Sequence, residues 1–286
     1  MALAVRIERT IRSLRDRLLD GLLSMRTLRK AAYRHLSAND NLVFRRFDDH
    51  VLVLDPGDLV GKTVLETGSF DRLRTNMICQ HAAGLSDRRT VLEIGANIGT
   101  QTLYVIRSGL FDSVISLEPD PRNLELLRLN VRINGLDQRV VVVPAAAGAA
   151  AGLLTLRRDA GNSGGATLRA GRLPHAVESE IAVPVVTIDA LIEQGEIDPG
   201  TIGLIWMDAE GFEDEILSAS TRLLCRSTPM AFEFTPGFYD DATRQRIIRT
   251  VYSHYGKVSI INEDGLDPLA QGDALTLMRR VDLFCC

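Results

Sequence analysis

Three stretches of the chain gather residue types that do chemistry. The first is Glu93-Ile94-Gly95-Ala96-Asn97-Ile98-Gly99-Thr100. Glycines without a Cβ let a backbone turn sharply and let a ligand come close. The spacing here is G-x-N-x-G, whereas a dinucleotide fingerprint needs G-x-G-x-x-G to admit a pyrophosphate. Glu93, two positions ahead of the first glycine, suits a cationic ligand better than a phosphate. The second stretch is Ser116-Leu117-Glu118-Pro119-Asp120, with Glu118 lying 25 residues beyond Glu93. An acid at that place can accept hydrogen bonds from both hydroxyls of a ribose. The third is Asp208-Ala209-Glu210-Gly211-Phe212-Glu213, joined further on by Glu233. Asp208 and Glu233 close apolar runs, and ligands of open α/β sheets bind beyond such strand ends. A carboxylate there can orient or deprotonate an alcohol. Glu210 and Glu213 have a second reading, as acids favoured by the dipole of a helix that starts there.

Other groups offer less. Asp208 with Glu210 or Glu233 has the oxygen chemistry of a divalent-cation site. No paired histidines support it, and no metal is expected. The five histidines, His35, His50, His81, His175 and His254, show no ligand spacing. His175 is a candidate base. Asn162-Ser163-Gly164-Gly165 reads as a polar loop, either a turn or a segment that closes over a substrate.

These residues need elements to hold them. Residues 42–54 read as a β-hairpin and 71–84 as a helix. Strands are expected at 91–94, 114–117, 140–143, 202–207 and 230–234. Helices are expected at 100–108, 122–134, 212–225 and 242–254, and final strands at 257–261 and 275–280. Strands alternating with helices predict a parallel α/β sheet. Residues 148–200 read as an irregular insertion, with strand candidates at 153–157 and 181–187. Residues 1–36 read as a basic amphipathic helix whose apolar positions step 4-3-4-3 from Ile7 to Ala32. It suits packing on the body, a homodimer, or an anionic membrane surface. The expected organisation is an N-terminal helix (1–38), a hairpin and helix leading in (39–90), and a core (91–286).

Charge is uneven. The net formal charge is −4, and residues 1–35 carry nine Lys/Arg against three acids. The remainder is therefore acidic, which argues against a nucleic-acid-wrapping surface. The longest uncharged run, Val140–Leu156, contains Pro144, Gly148 and Gly152 and is short for a membrane span. Charges recur through residues 6–20, leaving no apolar core for a signal peptide. Cys79, Cys225, Cys285 and Cys286 form no CxxC pair, which fits a reducing, cytoplasmic compartment.

The chain resembles the FkbM family of S-adenosylmethionine-dependent methyltransferases. The glycine turn and Glu118 match that family's cofactor motifs. So do Leu129-Asn130-Val131-Arg132-Ile133-Asn134-Gly135-Leu136 and Pro144-Ala145-Ala146-Ala147-Gly148. The narrowest match is Ile205-Trp206-Met207-Asp208-Ala209-Glu210-Gly211-Phe212-Glu213, similar to I-x-x-D-x-E-G-x-E. Gly68-Ser69-Phe70-Asp71 resembles a G-x-Y-E element, with Phe for Tyr and Asp for Glu.

The resemblance implies a Rossmann-like, seven-stranded class I methyltransferase sheet, mostly parallel with its last strand antiparallel. It implies S-adenosyl-L-methionine as cofactor. Glu93, Gly95, Ala96, Asn97 and Gly99 would then surround the methionine end and the sulfonium. Thr100 or Thr102 would meet the methionine carboxylate and Asp71 its amino group. Glu118 and Pro119 would line the ribose, and Ala146 the adenine. Asp208 and Glu233 are the candidate catalytic carboxylates. The family preference is for oxygen, so the expected acceptor is a hydroxyl of a sugar, glycan or secondary metabolite. Two other readings stand beside it. One is a non-catalytic adapter that keeps the fold and works through the basic helix. The other is a nicotinamide oxidoreductase, against which the broken glycine fingerprint counts.

Overall fold

The computed structural model describes residues 42–159, 162–169, 177–263 and 265–286. The helix expected at 1–36 and the candidate base His175 lie outside these residues. The chain divides into two units, one of residues 1–44 with 54–70 and one of residues 45–53 with 71–286.

The expected hairpin is present as β1 (Val43–Arg46) and β2 (Val51–Leu54), a two-stranded sheet. In the first unit, α1 (Leu59–Thr67) begins at Asp58, whose carboxylate accepts from Val60 N at 2.9 Å. It ends at Gly68 in the left-handed region, φ 94°. Sequence pattern did not mark this helix.

The second unit carries the chemistry. After α2 (Arg72–Ala83), the chain alternates β3 (Thr90–Ile94), α3 (Thr100–Arg107), β4 (Ser113–Leu117), α4 (Pro121–Ile133) and β5 (Val140–Val143). Asp120 caps α4 by accepting from Arg122 N at 2.8 Å, and Pro121 supplies the first turn without needing a donor. The insertion follows as β6 (Ala146–Ala147), β7 (Gly152–Asp159), β8 (Asn162–Thr167) and β9 (Val177–Val186), with α5 (Ile188–Glu193) after it. Next come β10 (Ile202–Met207), α6 (Glu213–Ser218), α7 (Thr221–Leu224), β11 (Met230–Phe234) and α8 (Asp241–His254). The chain closes with β12 (Val258–Asn262), β13 (Gly265–Pro268), α9 (Gln271–Leu275) and β14 (Val281–Cys285).

The main sheet has eight strands in the order β13-β12-β14-β11-β10-β3-β4-β5. The pairs from β11 through β10, β3 and β4 to β5 are all parallel. β14 runs antiparallel to both its neighbours, β11 and β12. This is the seven-stranded pattern with one reversed strand, extended by β13, which pairs antiparallel with β12 at the edge. The parallel strands are mostly apolar and largely buried, and every residue of β11 is buried.

Four local expectations need correction. The helix expected at 212–225 is two helices, because the carboxylate of Asp189 accepts from Thr221 N and Arg222 N and starts a new helix there. The strand expected at 275–280 lies at Val281–Cys285, where antiparallel pairing sets Met230 opposite Cys285. Where an irregular insertion is expected, its described residues form with Ala146–Ala147 a four-stranded sheet, β6-β9-β7-β8, whose β7 and β9 fall on the strand candidates at 153–157 and 181–187. Within it, Asn162–Gly165 is not a loop. It belongs to β8, paired antiparallel to β7, and the ladder overrides the weak strand propensity of Asn, Ser and Gly.

Candidate active site

The turn after β3 is built by its neighbours. Gly95 N and Ala96 N both donate to Leu117 O at 3.0 Å, tying the turn to the end of β4. Gly95 has φ 88°, and a Cβ there would lie 1.9 Å from Asp208 O. Gly99 also has φ 88°, and its Cβ would lie 2.6 Å from Leu127 Cδ1. Protein packing therefore requires a glycine at both positions. Asn97 takes a left-handed φ of 52° and its side chain accepts from Ile98 N at 2.6 Å.

Glu93 is buried under this turn. One carboxylate oxygen accepts from the hydroxyls of Thr102 and Ser116, the latter at 2.7 Å. Burial pushes its carboxyl up to about 7. Thr102 is fully buried, so its hydroxyl braces Glu93 instead of facing a methionine carboxylate. Thr100 at the first position of α3 is buried too, its hydroxyl donating to Gln101 Oε1 at 2.6 Å.

Glu118 is held by two backbone donors, one per oxygen. Asn97 N donates to Oε2 at 2.7 Å and Asp120 N to Oε1 at 2.8 Å. Burial pushes its carboxyl up to about 7. The Asn123 side chain also hydrogen-bonds this carboxylate, which keeps acceptor capacity for a hydroxyl such as a ribose's. Pro119 beside it is half-buried. The insertion braces this corner, since Arg158 forks onto both oxygens of Asp120, with Nε to Oδ2 at 2.6 Å. Ala146 is buried in β6 opposite Val185 of β9.

Asn130 and Asn134, within the motif at 129–136, bond mainly to β2. Asn130 near the end of α4 and Asn134 just past it pair with the β2 backbone as a neighbouring strand would. Asn130 accepts from Val53 N at 2.7 Å and donates to Val53 O at 3.0 Å and Ile98 O at 2.8 Å. Asn134 accepts from Val51 N at 2.9 Å and donates to Val51 O at 2.7 Å.

The acidic loop leaves β10 beside this turn, with Asp208 N donating to Ile94 O at 2.9 Å. Asp208 Oδ1 is buried without a hydrogen-bond partner. Burial, then the charges of Glu233, Glu210 and Glu213, hold the Asp208 carboxyl well above the usual range. Burial and Glu233 push Glu210 up to about 8. Glu233, on β11, accepts from Thr235 Oγ1 at 2.8 Å and pairs with Arg280. Burial raises its carboxyl against the pull of Arg280. Glu213 does something else. Its Oε1 accepts from Ala209 N at 3.1 Å and Gly211 N at 3.4 Å, and Tyr239 donates its hydroxyl to Oε2. It closes the turn between β10 and α6.

Asp71 reaches this end of the sheet through a chain of charges. It lies 3.5 Å from Arg74, which donates to Asp282 at 2.6 Å, and Asp282 stands opposite Glu233 in the β11–β14 register. Arg280, Tyr239 and Ser116 were not singled out by sequence pattern, because nothing in their spacing places them beside carboxylates far away in the chain. Among the described residues, no group of three or more His, Cys, Asp or Glu is placed to hold a metal ion. No helix among them is long and apolar enough to cross a membrane.

A doubly wound sheet with one reversed strand, a glycine turn after its first parallel strand and a buried acid after its second defines a class I, S-adenosylmethionine-dependent methyltransferase. The family model described as the methyltransferase FkbM domain matches residues 93–258. The chain belongs to the FkbM methyltransferase family, whose cofactor is S-adenosylmethionine. No curated protein sequence matches it. Among solved structures, it is similar to cofactor-bound Rv0187 from MTB, with 18% identity, a TM-score of 0.44, and coverage of 90% of this chain and 88% of that one. It is also similar to an O-methyltransferase from Bacillus cereus in complex with SAH, at 15% identity and a TM-score of 0.42, covering 76% of this chain and 80% of that one.

Proposed function

We propose that this methyltransferase acts on oxygen, at a hydroxyl of a small molecule, a sugar or glycan or a secondary metabolite, in the cytoplasm. The observation that carries the reading is Asp208, whose buried Oδ1 lacks a partner at the end of β10. S-adenosylmethionine supplies an electrophilic methyl group on a sulfonium. Glu118 would hold its ribose, and the turn at 95–99 the region around its methionine end. The chain's own contribution is alignment and a base. Asp208 would accept the proton of the acceptor hydroxyl as the C–O bond forms and the S–CH3 bond breaks, leaving the neutral thioether of S-adenosylhomocysteine. Its raised proton affinity, caused by burial among Glu233, Glu210 and Glu213, makes the ionised carboxylate a stronger base than an exposed one. Glu233, steadied by Thr235 and Arg280, orients the acceptor. The insertion, β6 to β9, is the part in which we place acceptor specificity.

The test is methyl transfer from labelled S-adenosylmethionine to a panel of hydroxylated sugars, glycans and polyketides. The expected result is an acid-stable methyl ether formed by the unsubstituted chain and lost in Asp208→Asn. Transfer to nitrogen or carbon acceptors alone would overturn the oxygen reading.

A further inference from the structure

The acidic loop is held from a direction the motif does not announce. Residues 208–213 pass through Glu210 at φ 47° and Gly211 at φ 95°. Glycine enters that left-handed region freely, whereas a glutamate stays there only when its surroundings hold it. Glu213 and Tyr239 hold the amide side of the turn, as described above. The carbonyl side is held by the end of β8 and the residues just after it. Thr167 is buried, and its hydroxyl donates to Glu210 O at 2.8 Å. Arg169 donates from Nε to Gly211 O and from Nη2 to Glu215 at 3.0 and 3.3 Å. Its guanidinium lies 5.0 Å over the Tyr239 ring. Arg169 N closes the arrangement by donating to Thr167 Oγ1 at 3.1 Å.

We propose that Thr167 and Arg169 are positioning residues, which strap the Glu210–Gly211 turn in its left-handed form and so keep the Glu210 carboxyl beside Asp208 and Glu233. The proposal rests on the reading of that cluster as the reacting end of the site. Glu210 is acted on by the charges of Glu233, Arg280, Glu213 and Asp159. Asp208 is acted on by Glu233, Glu210, Glu213 and Arg280, and Glu233 also by Asp282 and Arg74. Arg280 is the one cation that bears on both Asp208 and Glu210 in those sets. The ionisation of Glu210 therefore changes the local charge substantially, and the strap decides whether that charge sits in the cluster. The insertion in this way does more than border the acceptor: it reaches into the acid loop.

The experiment needs no acceptor. S-adenosylmethionine and S-adenosylhomocysteine differ by one methyl group and one positive charge, so the ratio of their affinities reads negative charge near the sulfonium. Calorimetry on the full chain at a series of pH values from about 6 to 9 should show the ratio rising with pH, as carboxyls ionise. Glu210→Gln should flatten the upper part of that rise. Thr167→Val, which keeps the shape and removes the hydroxyl, should flatten it similarly while leaving S-adenosylhomocysteine affinity within about twofold. Arg169→Gln should do the same, with Arg169→Lys recovering part of the rise. Hydrogen exchange of amides 209–215 should quicken about tenfold in Thr167→Val. If Glu210→Gln flattens the rise but the folded Thr167 and Arg169 variants leave it intact, the strap is refuted. If Glu210→Gln leaves the rise intact, the cluster reading falls, and the strap proposal with it.

Discussion

Two loops leave adjacent parallel strands at the same end of the sheet, and they treat their carboxylates in opposite ways. Around the turn after β3, Glu93 near the end of that strand and Glu118 just after β4 are buried and supplied with donors: two hydroxyls for one, two backbone amides for the other. In the loop after β10, Asp208 is half-buried, with its Oδ1 buried and unpartnered and with three other carboxylates acting on it. The loops touch at Gly95, whose missing Cβ leaves room for Asp208 O. The difference teaches how one sheet end can hold and react at once. A carboxylate held by several donors is a rigid fixture. One left short of donors and countercharge keeps a high proton affinity and can take a proton from a substrate.

The contact between the loops offers the harshest way to break the contrast. Gly95→Ala would force a Cβ into Asp208 O at a φ that L side chains avoid. Overpacking and left-handed strain together should cost about 2–6 kcal/mol, read as a lowered midpoint in urea unfolding. If the variant is as stable as the unsubstituted chain, the two loops are not packed as described.

Asp208→Asn separates the loops by function. Methyl transfer should fall by about 10²–10⁴-fold, the usual worth of a positioned base, and S-adenosylhomocysteine affinity should stay within a few-fold. Glu118→Ala should do the reverse to the first loop's job, losing cofactor affinity in the same calorimetric titration. A matching loss of cofactor affinity in Asp208→Asn would erase the division of labour.

Asn130→Ala asks how much of the first loop's rigidity comes from behind it. The variant would strip partners from Val53 N, Val53 O and Ile98 O at once. With about 1–3 kcal/mol for each buried group left unsatisfied, a loss of about 3–5 kcal/mol is expected in urea unfolding. Asn134→Ala, at a less buried pair, should cost less.

The smallest effect is a pH dependence. Burial raises Glu93 from 4.5 to about 7. The unfolded chain releases this proton near 4.5, while the folded chain keeps it until about 7. The stabilising contribution is therefore fully present below 4.5 and is lost as pH rises through about 7. Glu93→Gln should remove up to ~3 kcal/mol of this loss, seen as a flatter stability profile between about pH 5 and 8. An unchanged profile would mean that Thr102 and Ser116 stabilise the ionised carboxylate enough to cancel its burial.

Much of the architecture was legible in the chain because its signals are local. Apolar runs such as Val91–Ile94 and Ile202–Met207 bounded by turns mark buried parallel strands, and their alternation with amphipathic helices marks a doubly wound sheet. The placement of β14 was not legible. Leu275–Arg280 and Val281–Cys285 carry similar strand propensity, and only pairing with β11 chose between them. The insertion was legible only in part, because the Asn-Ser-Gly-Gly stretch of β8 becomes a strand through its partner alone.

For the site, residue types and spacing by themselves determined where the carboxylates stand along the chain and that each lies at or near the end of a strand. What those carboxylates and glycines do was decided by tertiary contact. Gly95 and Gly99 make room for Asp208 and Leu127. Asn130 and Asn134 hold Val51 and Val53, and Glu213 closes a turn that its position at a helix start made look like simple dipole pairing. Thr167, Arg169, Arg280 and Tyr239 enter only when distant segments fold together. The physical reason is that hydrophobic periodicity and turn chemistry act over a few residues. The burial that raises a carboxyl, and the donors that satisfy it or leave it bare, come from whatever the fold packs against it.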